Sequence, residues 1–264
     1  MGIIRKSTIL AFALTLFMGG YAAGAEEEKP SASAGLGVFS KYVWRGFELS
    51  DDSMVVQPSL GVGYKGLTLG IWGNLDTDFD DRDPTLPDKS DWTETDLTLE
   101  YARSFGPVAM GFGYIYYALD GVDDSQELYV SAGLDLPLAP TLTVYREIAH
   151  LQGWYMNLGL SHSFDLPRDM TLDLSGSVGY YYSSDDAFVE VDSQLNPTTK
   201  KYRGLHDGLV SAGLTVPLGK YLTLNPLVAY SFPLSGGADD LIASSSYSGD
   251  SGYLYGGATL SIFF

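Results

Sequence analysis

The sequence has no cysteine, which excludes a disulfide framework, a thiolate zinc site and a thiol nucleophile. Charge is scarce at 18% of residues, below the roughly 25% usual for soluble domains. Positive charge is scarcer still: 15 Lys and Arg stand against 33 Asp and Glu, a formal net charge of −18. A chain this acidic repels phosphate backbones, so nucleic acid is not an expected partner. There is no Gly-rich phosphate loop, no metal-spaced His cluster and no nucleotide motif, so neither a cofactor nor a metal is expected. Beyond residue 25 no run of 18 apolar residues occurs, so no helix is expected to span a membrane. What is abundant is Gly, with 31 residues, and Tyr, with 19. Low charge with many aromatics argues against disorder, and the Gly content argues against an ordinary helical enzyme.

Residues 1–25 read as a secretory signal peptide. Arg5 and Lys6 precede an apolar stretch from Ile9 to Met18, and Ala23-Gly24-Ala25 is a small-x-small cleavage site. The apolar stretch is about half the roughly 20 residues a spanning helix needs. Its removal leaves 13 positive against 33 negative residues. Residues 26–33 are acidic with Pro and Ser and read as a short flexible tail, and residues 34–264 as the folded body.

The body has a period of two. Met170, Leu172, Leu174, Gly176, Val178, Tyr180 and Tyr182 alternate with Thr171, Asp173, Ser175, Ser177, Gly179 and Tyr181, which puts one greasy and one polar or small face on a strand. Twelve such segments are predicted, at 35–47, 54–64, 67–75, 92–104, 107–118, 126–136, 140–149, 152–164, 170–183, 206–216, 221–232 and 252–263. Gly- and Pro-bearing short turns alternate with mostly longer polar connections. That alternation, with an even strand number, is the pattern of an antiparallel up-and-down transmembrane β-barrel, with both termini on the short-turn side. Ten or fourteen strands are the alternatives, because 184–205 and 235–251 could hide or extend strands.

A secreted β-sandwich would show the same alternation. Three features favour the membrane barrel. Aromatics gather near strand ends: Tyr64, Tyr101, Phe164 and Tyr221 on one side, and Trp92, Tyr116, Trp154, Tyr180, Tyr182 and Tyr253 on the other, as two interfacial girdles do. Charges such as Asp96, Glu100 and Asp173 fall mid-strand on the alternate face. The chain ends in Phe264 on an amphipathic segment, a feature similar to the signal read by the outer-membrane barrel assembly machinery.

The run Ser40-Lys41-Tyr42-Val43-Trp44-Arg45-Gly46-Phe47, with Ser50, Asp51 and Val56-Gln57-Pro58-Ser59-Leu60, followed by Gly70-Ile71-Trp72-Gly73-Asn74, resembles the opening of the TorF-type porin family. The resemblance covers residues 35–75. It implies a small Gram-negative outer-membrane barrel with porin-like activity.

If Leu36 and Val38 face lipid, the same register turns Lys41, Val43 and Arg45 inward. Asp96, Glu100, Glu127, Asp135, Glu147 and Asp173 take the inward register of their own strands. Inward cations are few and inward acids many, so Lys41 and Arg45 are the leading candidates for a charged eyelet that orients a solute; pairing that only holds the barrel together is the plainer alternative. Asp76, Asp78, Asp80, Asp81, Asp83, Asp88 and Asp91 form an acidic loop, 76–91, opposed only by Arg82 and Lys89. It can attract cations to a mouth, but it lacks the Gly and Glu of an EF-hand. Lys200, Lys201 and Arg203 could meet lipopolysaccharide phosphates. His150, His206 with Asp207, and Asp185 with Asp186 are the residues a hydrolase would need, but no motif supports catalysis, and the chain is not expected to be an enzyme. His162 takes a lipid-facing register.

The sequence thus predicts a passive channel for small polar or ionic solutes, cation-preferring from its charge, in contact with outer-membrane lipid and lipopolysaccharide. A non-conducting structural or adhesive barrel acting through its loops is the alternative. Twelve strands lie between the eight that side chains fill and the sixteen that leave a channel, so strand count does not decide between them.

Overall fold

The computed structural model describes residues 29–50, 52–79 and 89–264. Residues 1–25, read as a signal peptide, lie outside the described residues. Twelve strands close into one antiparallel barrel: β1 (Ser31–Phe39), β4 (Val55–Tyr64), β5 (Leu67–Phe79), β6 (Lys89–Phe105), β7 (Val108–Leu119), β8 (Ser125–Leu134), β9 (Thr141–Glu147), β10 (Gly153–Asp165), β11 (Thr171–Ser183), β14 (Arg203–Pro217), β15 (Leu222–Pro233) and β16 (Tyr253–Phe263). A single 3-10 turn, Pro167–Asp169, sits in the short β10–β11 connection, and the remaining elements sit in the longer ones. They are the hairpin β2 (Val43–Trp44) and β3 (Phe47–Glu48), the hairpin β12 (Val189–Val191) and β13 (Pro197–Lys201), and helix α1 (Gly236–Ser245). The loops at 184–205 and 235–251 therefore hold a two-stranded flap and a helix, and add no barrel strand.

Each barrel strand pairs with its sequence neighbours, and β1 closes the ring against both β4 and β16. Closure removes the open edges of the barrel sheet, which would otherwise leave a row of unpaired backbone groups in lipid. The final residue joins the seam: Phe264 N donates to Ala32 O at 2.9 Å, and the Phe264 ring stacks on Tyr221.

The apolar registers point outward. Leu36, Leu60, Val62, Leu69, Ile71, Leu97, Leu99, Phe112, Val130, Leu158, Leu174 and Val210 are all exposed, while Gln57, Asn74, Asp96, Thr98, Glu100, Glu127, Ser131 and Asp173 are buried inside. This is the reverse of a soluble core and is the arrangement of a membrane-spanning barrel. Tyr64, Tyr101, Phe164 and Tyr221 are exposed at the short-turn end, and Trp92, Trp154 and Tyr182 at the long-loop end. Tyr253, expected in the second girdle, instead points inward and is 3% exposed.

Several strand limits differ from expectation. The first strand stops at Phe39 rather than residue 47, and it begins at Ser31, inside the expected tail. Arg45 and Gly46 both have positive φ, +48° and +86°, and two such residues reverse a chain as a tight hairpin turn. Val43-Trp44 and Phe47-Glu48 therefore pair with each other. β5 and β6 run past the expected loop limits, to Phe79 and back from Lys89. β6 has 17 residues, so at about 3.3 Å per residue it is roughly 56 Å long, well beyond an apolar band about 25 Å tall. β8 ends at Leu134, which leaves Asp135 exposed in a turn rather than in the lumen.

Candidate functional site

The lumen has two halves. Towards the short-turn end the inward residues are small and polar, mostly hydroxylic: Ser131, Thr143, Asn157, Ser175, Ser177 and Ser211, most of them only half-buried. Asp173 is held there by three hydroxyls, from Ser163 at 2.6 Å, Thr171 at 3.0 Å and Thr215 at 2.9 Å. None of these partners is a cation.

Towards the long-loop end the lumen is filled. The connection after β1 folds inward as the β2–β3 hairpin, and Tyr42, Val43, Phe47 and Glu48 are all buried. Helix α1 lies against it. Ser235 caps the helix, its hydroxyl accepting from Ala238 N at 3.1 Å, and Ala238, Leu241 and Ile242 are buried in one apolar cluster with Val43, Phe47, Tyr202, Ala229, Tyr253 and Tyr255. Gly46 at the hairpin tip has no room for a side chain: a Cβ there would come within 2.9 Å of Ile242 Cδ1 and 3.1 Å of Asp207 Cβ.

The hairpin tip reaches the far wall. In the ring order β9 is six strands from β1 in either direction, and Arg45 lies over the ring of Tyr145 on β9 at 4.6 Å and of Tyr155 on β10 at 4.2 Å. Its two terminal nitrogens donate to the two oxygens of Glu127 on β8, both at 2.7 Å, and Nη1 also donates to Tyr181 OH at 3.3 Å. Tyr117 OH donates to Glu127 at 2.8 Å. The paired side chains of Arg45 and Glu127 are only 7% and 3% exposed. The wall prepares this seat: Tyr129, Tyr145, Tyr155 and Tyr181 are register partners across β8–β11 and pack ring against ring at 4.8–6.1 Å. Gly113 on β7 makes space for the arc, since a Cβ there would sit 2.4 Å from the Tyr129 ring.

At the mouth, Lys41 clamps the hairpin base, donating to Glu48 at 2.6 Å and Asp52 at 2.5 Å. Burial alone lowers the Lys41 pKa, but these two carboxylates outweigh it and raise the ammonium above its ordinary 10.5. The Lys41 hydrogen bond and charge hold exposed Asp52 below its ordinary 3.8. Glu48 also ties the hairpin to the segment after α1: its second oxygen accepts from Ser248 N, and its own N–H donates to Ser246 Oγ.

The expected site residues are placed as follows. Arg45, Asp96, Glu100, Glu127 and Asp173 are in the lumen. Arg45 gets there on the tip of the folded-in hairpin, not on a continuous first strand, while Lys41 stays at the mouth and pairs with Glu48 and Asp52 rather than with the wall. Glu100 accepts from Tyr129 OH at 2.5 Å. Asp76 is no loop residue: it ends up fully buried on β5, bonded by the Ser53 hydroxyl and the Asp78 N–H. Asp80, Asp81, Asp83 and Asp88 lie outside the described residues. His206 is buried, its Nδ1 sharing a hydrogen bond with Tyr202 OH. Asp185 caps Ala187 N, and Asp186 pairs with Lys201. The tyrosine arc was missed as a unit, although each member lies on the polar parity of its strand; what was absent from the sequence was the register that aligns them.

The wall charge has one sign. Glu94, Asp96, Glu100, Glu127, Asp173 and Asp207 are inward and buried. Among the described residues, the wall arginines Arg103, Arg146 and Arg203 lie in outward register beside Met110, Trp154 and Tyr182, and Lys89 is at the exposed start of β6. Among the described residues, the cation that reaches the inner wall, Arg45, belongs to the hairpin.

No family model matches the sequence, and no curated protein is similar to it. Among solved structures the chain is similar to the translocator domain of the autotransporter NalP from Neisseria meningitidis, with 11% identity, 89% of this chain and 87% of that one covered, and a TM-score of 0.40. It is also similar to OmpF of Salmonella typhi, with 10% identity, 89% and 96% covered, TM-score 0.38. An anion-selective porin from Comamonas acidovorans gives 11% identity, 89% and 98% covered, TM-score 0.33. At these values the likeness extends to nothing beyond a closed barrel.

Proposed function

We propose that the protein is an outer-membrane channel for passive diffusion of small polar or ionic solutes, cation-preferring, with a lumen that the β2–β3 hairpin and helix α1 close. The single observation that carries this reading is the one-signed wall: with the hairpin set aside, the charged side chains inside it among the described residues are all carboxylates. A low-dielectric conduit lined by one sign of charge concentrates counter-ions and rejects co-ions. The half-exposed hydroxyls at the short-turn end support a wetted approach to it. In this reading the long loops face outward and both termini face the periplasm after signal-peptide removal, with Phe264 recognised by the barrel assembly machinery. The protein is a conduit and not a catalyst.

The test is current across a planar bilayer holding the refolded mature chain, under a salt gradient. Infrequent discrete steps with a cation-preferring reversal potential are expected. The second reading, a permanently closed barrel acting through its loops, is favoured by the apolar packing of hairpin against helix. It would be adopted if a heat-modifiable, folded protein gave no steps even when the hairpin contacts were removed.

A further inference from the structure

We propose that the outward row Arg146, Trp154, Tyr182 and Arg203 binds the phosphorylated headgroup of an outer-leaflet glycolipid. The four residues are successive register partners on β9, β10, β11 and β14, so they form one line around the outside of the barrel. Arg146 lies over the Trp154 ring at 5.2 Å and Arg203 over the Tyr182 ring at 4.1 Å. With strands about 4.8 Å apart, the two arginine backbones are roughly 14 Å apart, and both guanidiniums lean over the rings between them, so two cationic forks face one phosphorylated headgroup. One step closer to mid-membrane, Val144, Met156, Tyr180 and Leu205 are the matching row. The surface thus changes from apolar to aromatic and cationic within one pleat. That is the profile an amphiphile matches, with acyl chains on the lower row and phosphates on the upper one.

The charges are available. Arg146 donates to the neutral oxygens of Ser184 at 3.0 Å and Gln152 at 3.5 Å, and no ion pair is formed by Arg146 or Arg203 among the described residues, in a chain with 33 acids. No carboxylate stands in either row. By contrast Lys200 and Lys201, which adjoin Arg203 in sequence, are matched by Glu190 at 3.8 Å and Asp186 at 2.9 Å. The basic run in the sequence is thereby reduced to Arg203, and Arg146, from a strand more than fifty residues earlier, replaces the two lysines. Guanidinium forks suit phosphate oxygens better than ammonium groups do.

The assignment rests on the reading that the long-loop end faces the outer leaflet, but binding in detergent needs no conduction, so the two can fail separately. The experiment is native mass spectrometry of the refolded chain in neutral detergent, with bisphosphorylated lipid A, the same glycolipid stripped of phosphate, and phosphatidylglycerol. One lipid A per barrel is expected. The phosphate-free form should bind about tenfold to thirtyfold more weakly, and R146Q/R203Q should lose a similar factor for lipid A. The control K65Q/R103Q, at the opposite girdle, should bind as the parent does, and a heat-modifiable gel band reports folding of each. Undiminished binding by R146Q/R203Q, equal binding of the phosphate-free glycolipid, or phosphatidylglycerol bound as tightly as lipid A would each overturn the assignment.

Discussion

Arg45 and Glu127, 82 residues apart in the chain, meet across the lumen in a two-pronged contact with both N···O distances at 2.7 Å. One sits on the tip of a hairpin rooted at β1 and the other on the wall nearly opposite. The contact spans the lumen and neutralises one wall carboxylate at the same time.

Replacing Arg45 by Ala should therefore open the channel and sharpen its selectivity together. It leaves Glu127 buried without its cation, which costs about 3–5 kcal/mol for a buried pair broken on one side, and the hairpin is the part free to relieve that cost. More frequent conducting steps and a reversal potential shifted further towards the cation limit are expected in bilayer recordings. An R45A variant that opens no more often than the parent would count against the hairpin as the obstruction.

The clamp at the mouth predicts a pH dependence with two limbs. Asp52 is held below 3.8, so its contribution is present above that value and lost as pH falls through the lower folded value. Lys41 is raised above 10.5, so its contribution is present below 10.5 and lost as pH rises through the folded value. Closed times of single channels should be constant between these limits and shorten outside both. In Lys41→Met they should be short throughout and indifferent to either limit.

With no native cysteine, single substitutions can report which wall residues meet water. Ser177 is inward and half-buried, whereas its neighbour Val178 is 42% exposed on the outer face. In liposomes, a charged thiol reagent should modify Ser177→Cys and leave Val178→Cys untouched, because alternate residues of a spanning strand face lumen and lipid. Reversed labelling would invert the assignment of faces.

Ile242 is fully buried between the helix and the hairpin. Ile242→Ala should weaken that docking by about 2–5 kcal/mol without touching the barrel ladder. Faster proteolysis within 234–252, with heat-modifiability unchanged, is the expected pair of results.

The sequence alone determined the barrel. Twelve alternating segments dictate strands with unlike faces, the short and long connections dictate their up-and-down order, and a reading of Val130 outward and Ser131 inward follows from a side-chain period of two. All of these are local properties. The same local logic failed over residues 40–48, where the alternation of Lys41, Val43 and Arg45 continues across a chain reversal: a hairpin and a strand share the period, and only the positive φ of Arg45 and Gly46 separates them. Tertiary structure decided the rest. Whether Arg45 lines a pore or crosses it depends on what receives it, and Glu127, Tyr145, Tyr155 and Tyr181 are brought around one guanidinium by registers set strand by strand along more than a hundred residues. No window of sequence carries that sum, so the wall is legible in the chain while the plug exists only in the fold.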